Sequence, residues 1–277
     1  PNMKKTILLL FAAVLFAACG AKQSSQEQQK SKSLVVYYSQ TGATAQVAAV
    51  LAEMVGAALD SIVAVRPYDG DFQATIARCQ AEMESGEQPE IKALNYNVAD
   101  YDTLYVGFPV WFGTMAPPVI SWAKSVDLSG KVIVPFCTFG SGGLNTSVAD
   151  LKNIQANATF VDGYGVRNAR VAKAASELEV YLVRKGIKKG EVADELPFSE
   201  QLPITEAEKS VFDAACGSYP MPLGSPVSFG KRDIMGGAEY LFVVESQAPN
   251  GTVSQSQIYV VTSNEEGVAP EFTHVDR

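Results

Sequence analysis

The alternation of two patterns between Ser33 and Ile187 constrains this chain more than any other feature. Short β-branched or aromatic runs at 33–38, 61–65, 103–108, 131–137 and 158–161 have the length and apolar character of buried strands. Between them, segments 42–58, 72–85, 120–126, 145–154 and 170–185 carry apolar residues at helical spacing, as Val47, Val50, Leu51, Met54 and Val55 do in the first. Strands and helices that alternate in this way predict an α/β fold, a parallel sheet with helices on both faces. A hydrophobic content of 47% is enough to fill such a core.

In an open sheet of this kind a ligand sits beyond the carboxyl ends of the strands. The loops after strands one, three and four are therefore the candidates, and each is unusual. Ser39-Gln40-Thr41-Gly42-Ala43-Thr44 joins a strand to a helix N-terminus. Its hydroxyls and backbone N–H groups, backed by the helix dipole, suit a phosphate monoester held by neutral donors; ordinary helix capping is the competing reading. Pro109-Val110-Trp111-Phe112-Gly113, running on to Pro118, places two large aromatics straight after a buried strand. An indole there suits stacking on a flat ring, and core filling is the competing reading. Thr138-Phe139-Gly140-Ser141-Gly142-Gly143 has three glycines in four residues, which lets the backbone approach a ligand and offer N–H groups to carbonyl oxygens. A merely mobile loop is the alternative there.

Taken together the three loops resemble the FMN-binding flavodoxins, in the branch with a Pro-Val-Trp-x-Gly stacking loop and a Phe-Cys-Thr-x-Gly-Gly-type loop. The resemblance covers roughly residues 33–187. It implies the flavodoxin strand order 2-1-3-4-5, with one FMN at the switch between strands one and three. Ser39 to Thr44 would then hold the phosphate, Trp111 and its neighbours would stack on the isoalloxazine, and Thr138 to Gly143 would line its pyrimidine side. Phe112 departs from the pattern, since many relatives carry a second Trp there. No residue looks like a dedicated acid or base. The implied function is electron transfer or flavin-dependent, quinone-type reduction, with a redox partner protein or a small-molecule acceptor.

The remainder reads as a second module. Segment 188–203 is polar and acidic with two prolines and is expected to be a linker. Thr205, with Glu208 three residues on, predicts a capping box opening a helix whose apolar face is Ala207, Val211, Ala214 and Ala215. Apolar runs around 223–229, 238–246, 256–262 and 272–275 then predict antiparallel strands, an α+β domain over 204–277. Phe212-Asp213-Ala214-Ala215, Pro222-Leu223 and the stretch from Asp233 to Phe242 resemble cystatins. Those proteins insert a Gln-x-Val-x-Gly hairpin into papain-type proteases. Here Asp233 stands for the Gln and Met235 for the Val, though Gly237 remains, so the resemblance implies the fold rather than inhibition.

At the other end, Met3-Lys4-Lys5 precedes an apolar run over 6–18 that is too short to span a bilayer and has the flanks of a secretory signal. Leu15-Phe16-Ala17-Ala18-Cys19-Gly20 resembles a bacterial lipobox. That implies a signal peptide over 1–18, a lipid on Cys19, a flexible tether over 19–32, and export to the bacterial cell envelope with the anchor as the only membrane contact. An ordinary cleaved signal is the competing reading. The net charge of −8, from 30 acidic and 22 basic residues, argues against a nucleic-acid partner. Cys79, Cys137 and Cys216 are widely spaced and predict neither a disulfide framework nor a metal pair. The only histidine, His274, lies outside the main domain, which excludes a His-based triad or zinc site there. The alternative to redox chemistry is a non-catalytic surface lipoprotein whose tail engages a partner, a protease among them.

Overall fold

The computed structural model describes residues 32–69 and 71–277. The expected signal segment, Cys19 and the tether up to residue 31 lie outside the described residues. In chain order the first domain contains β1 (Ser33–Tyr37), α1 (Ala43–Val55), β2 (Ala58–Ser61), α2 (Phe72–Ser85), β3 (Thr103–Trp111), β4 (Thr114–Met115), α3 (Pro117–Ser125), β5 (Val132–Phe139), α4 (Leu144–Ile154), β6 (Thr159–Phe160), β7 (Tyr164–Arg167) and α5 (Ala174–Arg184). The sheet runs β2-β1-β3-β5-β6, with β7 also on β5 and β4 on β3. Every pairing except β3 with β4 is parallel. Two short pieces share the fifth position, and the order is the expected 2-1-3-4-5.

The period of two in the strands builds a core on each face. Leu34, Val36, Leu104, Val106, Phe108 and Ile133 pack with Trp122 of α3 and Leu151 of α4. Val35, Tyr105, Val134 and Phe136 pack on the other side with Val47 and Leu51 of α1 and with Leu178 and Leu182 of α5. Helix ends follow local chemistry. Asp71 caps α2 by accepting from Ala74 N at 2.8 Å, α3 opens on Pro117, and α1 stops at Gly56.

Several boundaries differ from the sequence reading. The second strand lies at Ala58–Ser61 rather than 61–65. Past Ser61 the chain leaves β1 and pairs instead with 90–92, through Val65 N to Glu90 O, Lys92 N to Val63 O, and an antiparallel bridge between Ala64 and Ile91. Strands three and four both run on to absorb the first residues of their loops, Pro109 to Trp111 and Thr138 to Phe139. The last helix starts at Ala174, after a 3₁₀ segment over Asn168–Lys173.

The tail forms β8 (Leu202–Pro203), α6 (Glu206–Cys216), β9 (Ser225–Ile234), β10 (Gly237–Gln247), β11 (Val253–Ser263) and β12 (Glu271–Asp276). Its antiparallel sheet has the order β12-β11-β10-β9-β8. α6 lies on it, with the Phe212 ring edge-on to Phe242 at 5.3 Å. The expected linker needs correction at its far end. Ser199 N donates to Lys231 O at 2.9 Å, β8 pairs with β9, and the Arg232 guanidinium sits 4.3 Å from the Phe198 ring centre. Residues 198–203 are therefore an edge of the tail sheet, not a free connector. The capping box also differs: the Thr205 hydroxyl bonds the Glu208 carboxylate and makes no cap to a backbone N–H. Met235 stands at the β9–β10 turn, 92% exposed. The described residues form one compact unit, so the two sheets are not beads on a string. Among the described residues no helix is long and apolar enough to cross a membrane.

Candidate functional site

The loop after β1 is organised by its own hydroxyls. Ser39 Oγ accepts from Gly42 N and Ala45 N, each at 3.2 Å, which folds the loop back over the start of α1. Gly42 has φ +93°, a left-handed conformation that lets the chain enter the helix at a sharp angle. The first helical bond is Gln46 N to Gly42 O, so the N–H groups of Ala43 and Thr44 precede the ladder, and among the described residues they find no acceptor. Gln40 ties the loop sideways, accepting from the Tyr38 hydroxyl at 2.9 Å and donating to the carbonyl of Tyr68. Thr41 stands exposed at the loop's outer edge.

Thr44 joins this loop to the one after β5. Its Oγ1 lies 2.8 Å from Thr138 Oγ1, and both side chains are buried. Thr44→Val leaves the Thr138 hydroxyl without that partner and is expected to cost on the order of 1–2 kcal/mol of apoprotein stability. Thr138→Val should cost about as much, and the double variant less than the sum of the two, as thermal melts of the three will show. Simple additivity would dissolve the coupling between the loops.

The loop after β3 is a tight hairpin rather than an irregular loop. Val110 pairs with Met115 and Trp111 with Thr114, while Phe112 and Gly113 turn the chain with φ of 50° and 82°. Two consecutive positive φ values are the mark of a type I′ turn. Thr114 Oγ1 donates to Asp150 Oδ2 of α4 at 2.5 Å, fixing the second arm. Trp111 is half-buried and meets two tyrosines edge-to-face, Tyr38 at 5.9 Å and Tyr68 at 5.2 Å between ring centres. Phe112 is 50% exposed at the tip, so it does not pack behind the loop. Val110 reaches across to the third loop: a Cβ on Gly143 would fall 2.7 Å from Val110 Cγ1.

Behind Trp111 lies a polar cluster that the sequence did not disclose. The Arg78 guanidinium lies 3.7 Å from the Tyr68 ring centre and pairs with Glu82 at 2.7 Å. The Tyr68 hydroxyl bonds the same carboxylate. Burial pushes the Tyr38 phenol up to about 12. Burial, followed by the bond to Glu82, raises Tyr68 as well. Both remain protonated donors near neutrality, and neither can act as a base. Tyr68 follows Arg66-Pro67 soon after the second strand, and a large aromatic in a proline turn at a strand's carboxyl end is the signal that would have found it. Cys137 is fully buried in β5, and burial raises its thiol, as it raises Cys79 to about 11 and Cys216 to about 12. None of the three offers a thiolate. Among the described residues no cluster of acidic, histidine and cysteine side chains is arranged to hold a metal.

The third loop leaves β5 at Phe139, and its Gly140-Ser141-Gly142-Gly143 backbone runs between the hairpin and the tail sheet. The Flavodoxin family model matches residues 32–181, more than half of the chain. The chain belongs to the flavodoxin family. Similar solved structures include proteins described as flavoproteins from Bacteroides uniformis ATCC 8492 (27% identity over 54% of this chain and 98% of that one, TM-score 0.49) and Bacteroides eggerthii DSM 20697 (28%, 54%, 99%, 0.46). A flavoprotein in complex with FMN from Lactobacillus acidophilus NCFM is similar at 24% identity (52%, 99%, 0.43). No curated protein matches the chain. In this flavodoxin the first and third loops meet through Thr44 and Thr138, and the second meets the third through Val110 and Gly143. The separately singled-out stretches therefore lie side by side at the carboxyl ends of β1, β3 and β5.

Proposed function

We propose that this flavodoxin domain binds one FMN across those three loops and works as a flavin-dependent electron carrier or quinone-type reductase. The observation that carries the reading is the Thr44–Thr138 contact, which brings a phosphate-sized nest of donors against a glycine-rich loop and, beyond it, the Trp111 hairpin. The residues fit the group. The Ser39 and Thr41 hydroxyls with the N–H groups of Ala43 and Thr44 would take the phosphate, while the buried Thr44 hydroxyl stays on Thr138; nothing basic lies among them, so a monoester is favoured. Space for a Cβ at Gly42 is open to 4 Å, leaving room at the loop's turn. Trp111 would supply an apolar wall for the ring, and the backbone from Gly140 to Gly143 would supply donors to its carbonyl oxygens.

Bound FMN supplies the redox chemistry; the chain binds it, orients it and keeps water from one face. A redox protein or a small acceptor would meet the flavin where Phe112 stands exposed. Titration of the apoprotein is expected to quench flavin fluorescence at micromolar FMN, and no quenching there would end this reading. The lipobox-like Leu15 to Gly20 supports a position at the cell envelope, anchored through Cys19. Cys19→Ala is then expected to move the protein out of the membrane fraction with FMN affinity unchanged, because the tether separates anchor from site. An unaltered membrane fraction would refute lipidation.

A further inference from the structure

The last strand of the tail reaches into the site. Val275 N donates to Ser141 O at 2.7 Å, and Val275 pairs with Gly142 in a parallel bridge. One residue earlier, Gly140 O accepts from Arg167 Nε at 2.8 Å. The same guanidinium donates through Nη1 to Phe272 O at 3.0 Å and lies 4.2 Å from the Phe272 ring centre. Two successive carbonyls of the third loop are thus held, one by the tail itself and the other by an arginine locked to the tail.

A trans peptide sets its C=O and N–H on opposite edges, and the described chain has no cis bonds. The Gly140 carbonyl therefore fixes the direction of Ser141 N–H, and the Ser141 carbonyl that of Gly142 N–H. Both N–H groups point away from these anchors, and among the described residues neither finds an acceptor. Gly142 is required for this approach, since a Cβ there would lie 2.1 Å from Val275 O. The anchor is stiff. Phe272 and Val275 belong to the tail core, and Glu271 pairs with Arg170 at 3.1 Å and Lys173 at 2.6 Å.

We infer that the C-terminal sheet is a clamp on the flavin site, using β12 and Arg167 to hold the Gly140–Gly142 backbone with its Ser141 and Gly142 N–H groups presented to the ring carbonyls. The inference rests on the FMN reading above. It gives the tail a task inside this chain, with Arg167 as a positioning residue that touches no flavin itself. A loop already fixed in its binding conformation loses less entropy when the ligand arrives, and the gain appears as affinity.

Arg167→Ala in the full chain tests it, with FMN dissociation constant and amide hydrogen exchange as readouts. FMN affinity is expected to fall about tenfold, the equivalent of one well-placed hydrogen bond. Exchange should rise in the absence of FMN at Val275, whose N–H is held by the Ser141 carbonyl. Glu271→Gln, which loosens the tail without touching the loop, should shift both quantities the same way by less, and it serves if Arg167→Ala does not fold. A wild-type chain that binds FMN, with a folded variant binding within twofold and exchange at Val275 unchanged, overturns the clamp and leaves the FMN site standing. A wild-type chain that binds no FMN overturns the functional reading first, and the clamp with it.

Discussion

Trp111→Ala is expected to weaken FMN binding by on the order of 1–3 kcal/mol, roughly 5- to 150-fold in dissociation constant. The indole is the one large aromatic that continues β3 into the hairpin while remaining half-buried, against Tyr38 and Tyr68. Those contacts mean that the side chain also supports the apoprotein, so some stability will be lost. Two effects therefore have to be separated on one variant. If stacking on the ring dominates, the apoprotein melting temperature falls by only a few degrees while affinity per folded molecule drops by the amount above. If Trp111 is chiefly core, the melting temperature falls steeply and the dissociation constant of the folded fraction is unchanged. That second outcome would take Trp111 out of the site. The flavin potential offers an independent check, because removing an apolar wall changes the solvation of oxidised and anionic reduced rings unequally.

Much of this site could be read locally, and the limits have physical causes. Strand–helix alternation fixed the sheet because both faces are buried, which makes the strands uniformly apolar. Gly113 is a turn-forming residue, but a positive φ on a phenylalanine has no composition signal, so nothing in the sequence separates a two-residue hairpin turn from a longer loop. Tyr68, Arg78 and Glu82 reach Trp111 from two separate elements, and no periodicity links them. The contact between Gly142 and Val275 joins residues 133 apart in the chain and two sheets of different type. Nothing in either segment announces it. The tail was read as a separate module for the same reason: its strands are periodic in themselves, while its docking depends on backbone carbonyls that every residue carries.

Asp60 explains the one misplaced strand and leads to the largest stability effect. In Ala58-Leu59-Asp60-Ser61 an acidic residue looks like the end of a loop, and the apolar run after it looks like the strand. The carboxylate is instead 3% exposed at the end of β2. Its Oδ2 accepts from Asn95 N at 2.7 Å and Tyr96 N at 3.0 Å; its Oδ1 accepts from Asn95 Nδ2 and Ser61 N, both at 2.9 Å. Four donors on one buried carboxylate hold the 91–97 segment against the strand, and that segment begins at the Ala64–Ile91 bridge a few residues before Tyr68. Asp60→Ala is expected to cost about 2–4 kcal/mol, because hydrogen bonds to a charged acceptor are the stronger kind; the exposed Asn95 and Tyr96 let water recover part of the loss. For a chain of this size that is a fall of roughly 4–16 °C in melting temperature. Asp60→Asn is the more telling variant. Its amide keeps one acceptor oxygen but turns an NH2 toward donors that need an acceptor, so it should be nearly as damaging as alanine despite its matched shape. An asparagine variant melting within a degree of the wild type would show that side-chain packing, not the array of four donors, holds the end of β2.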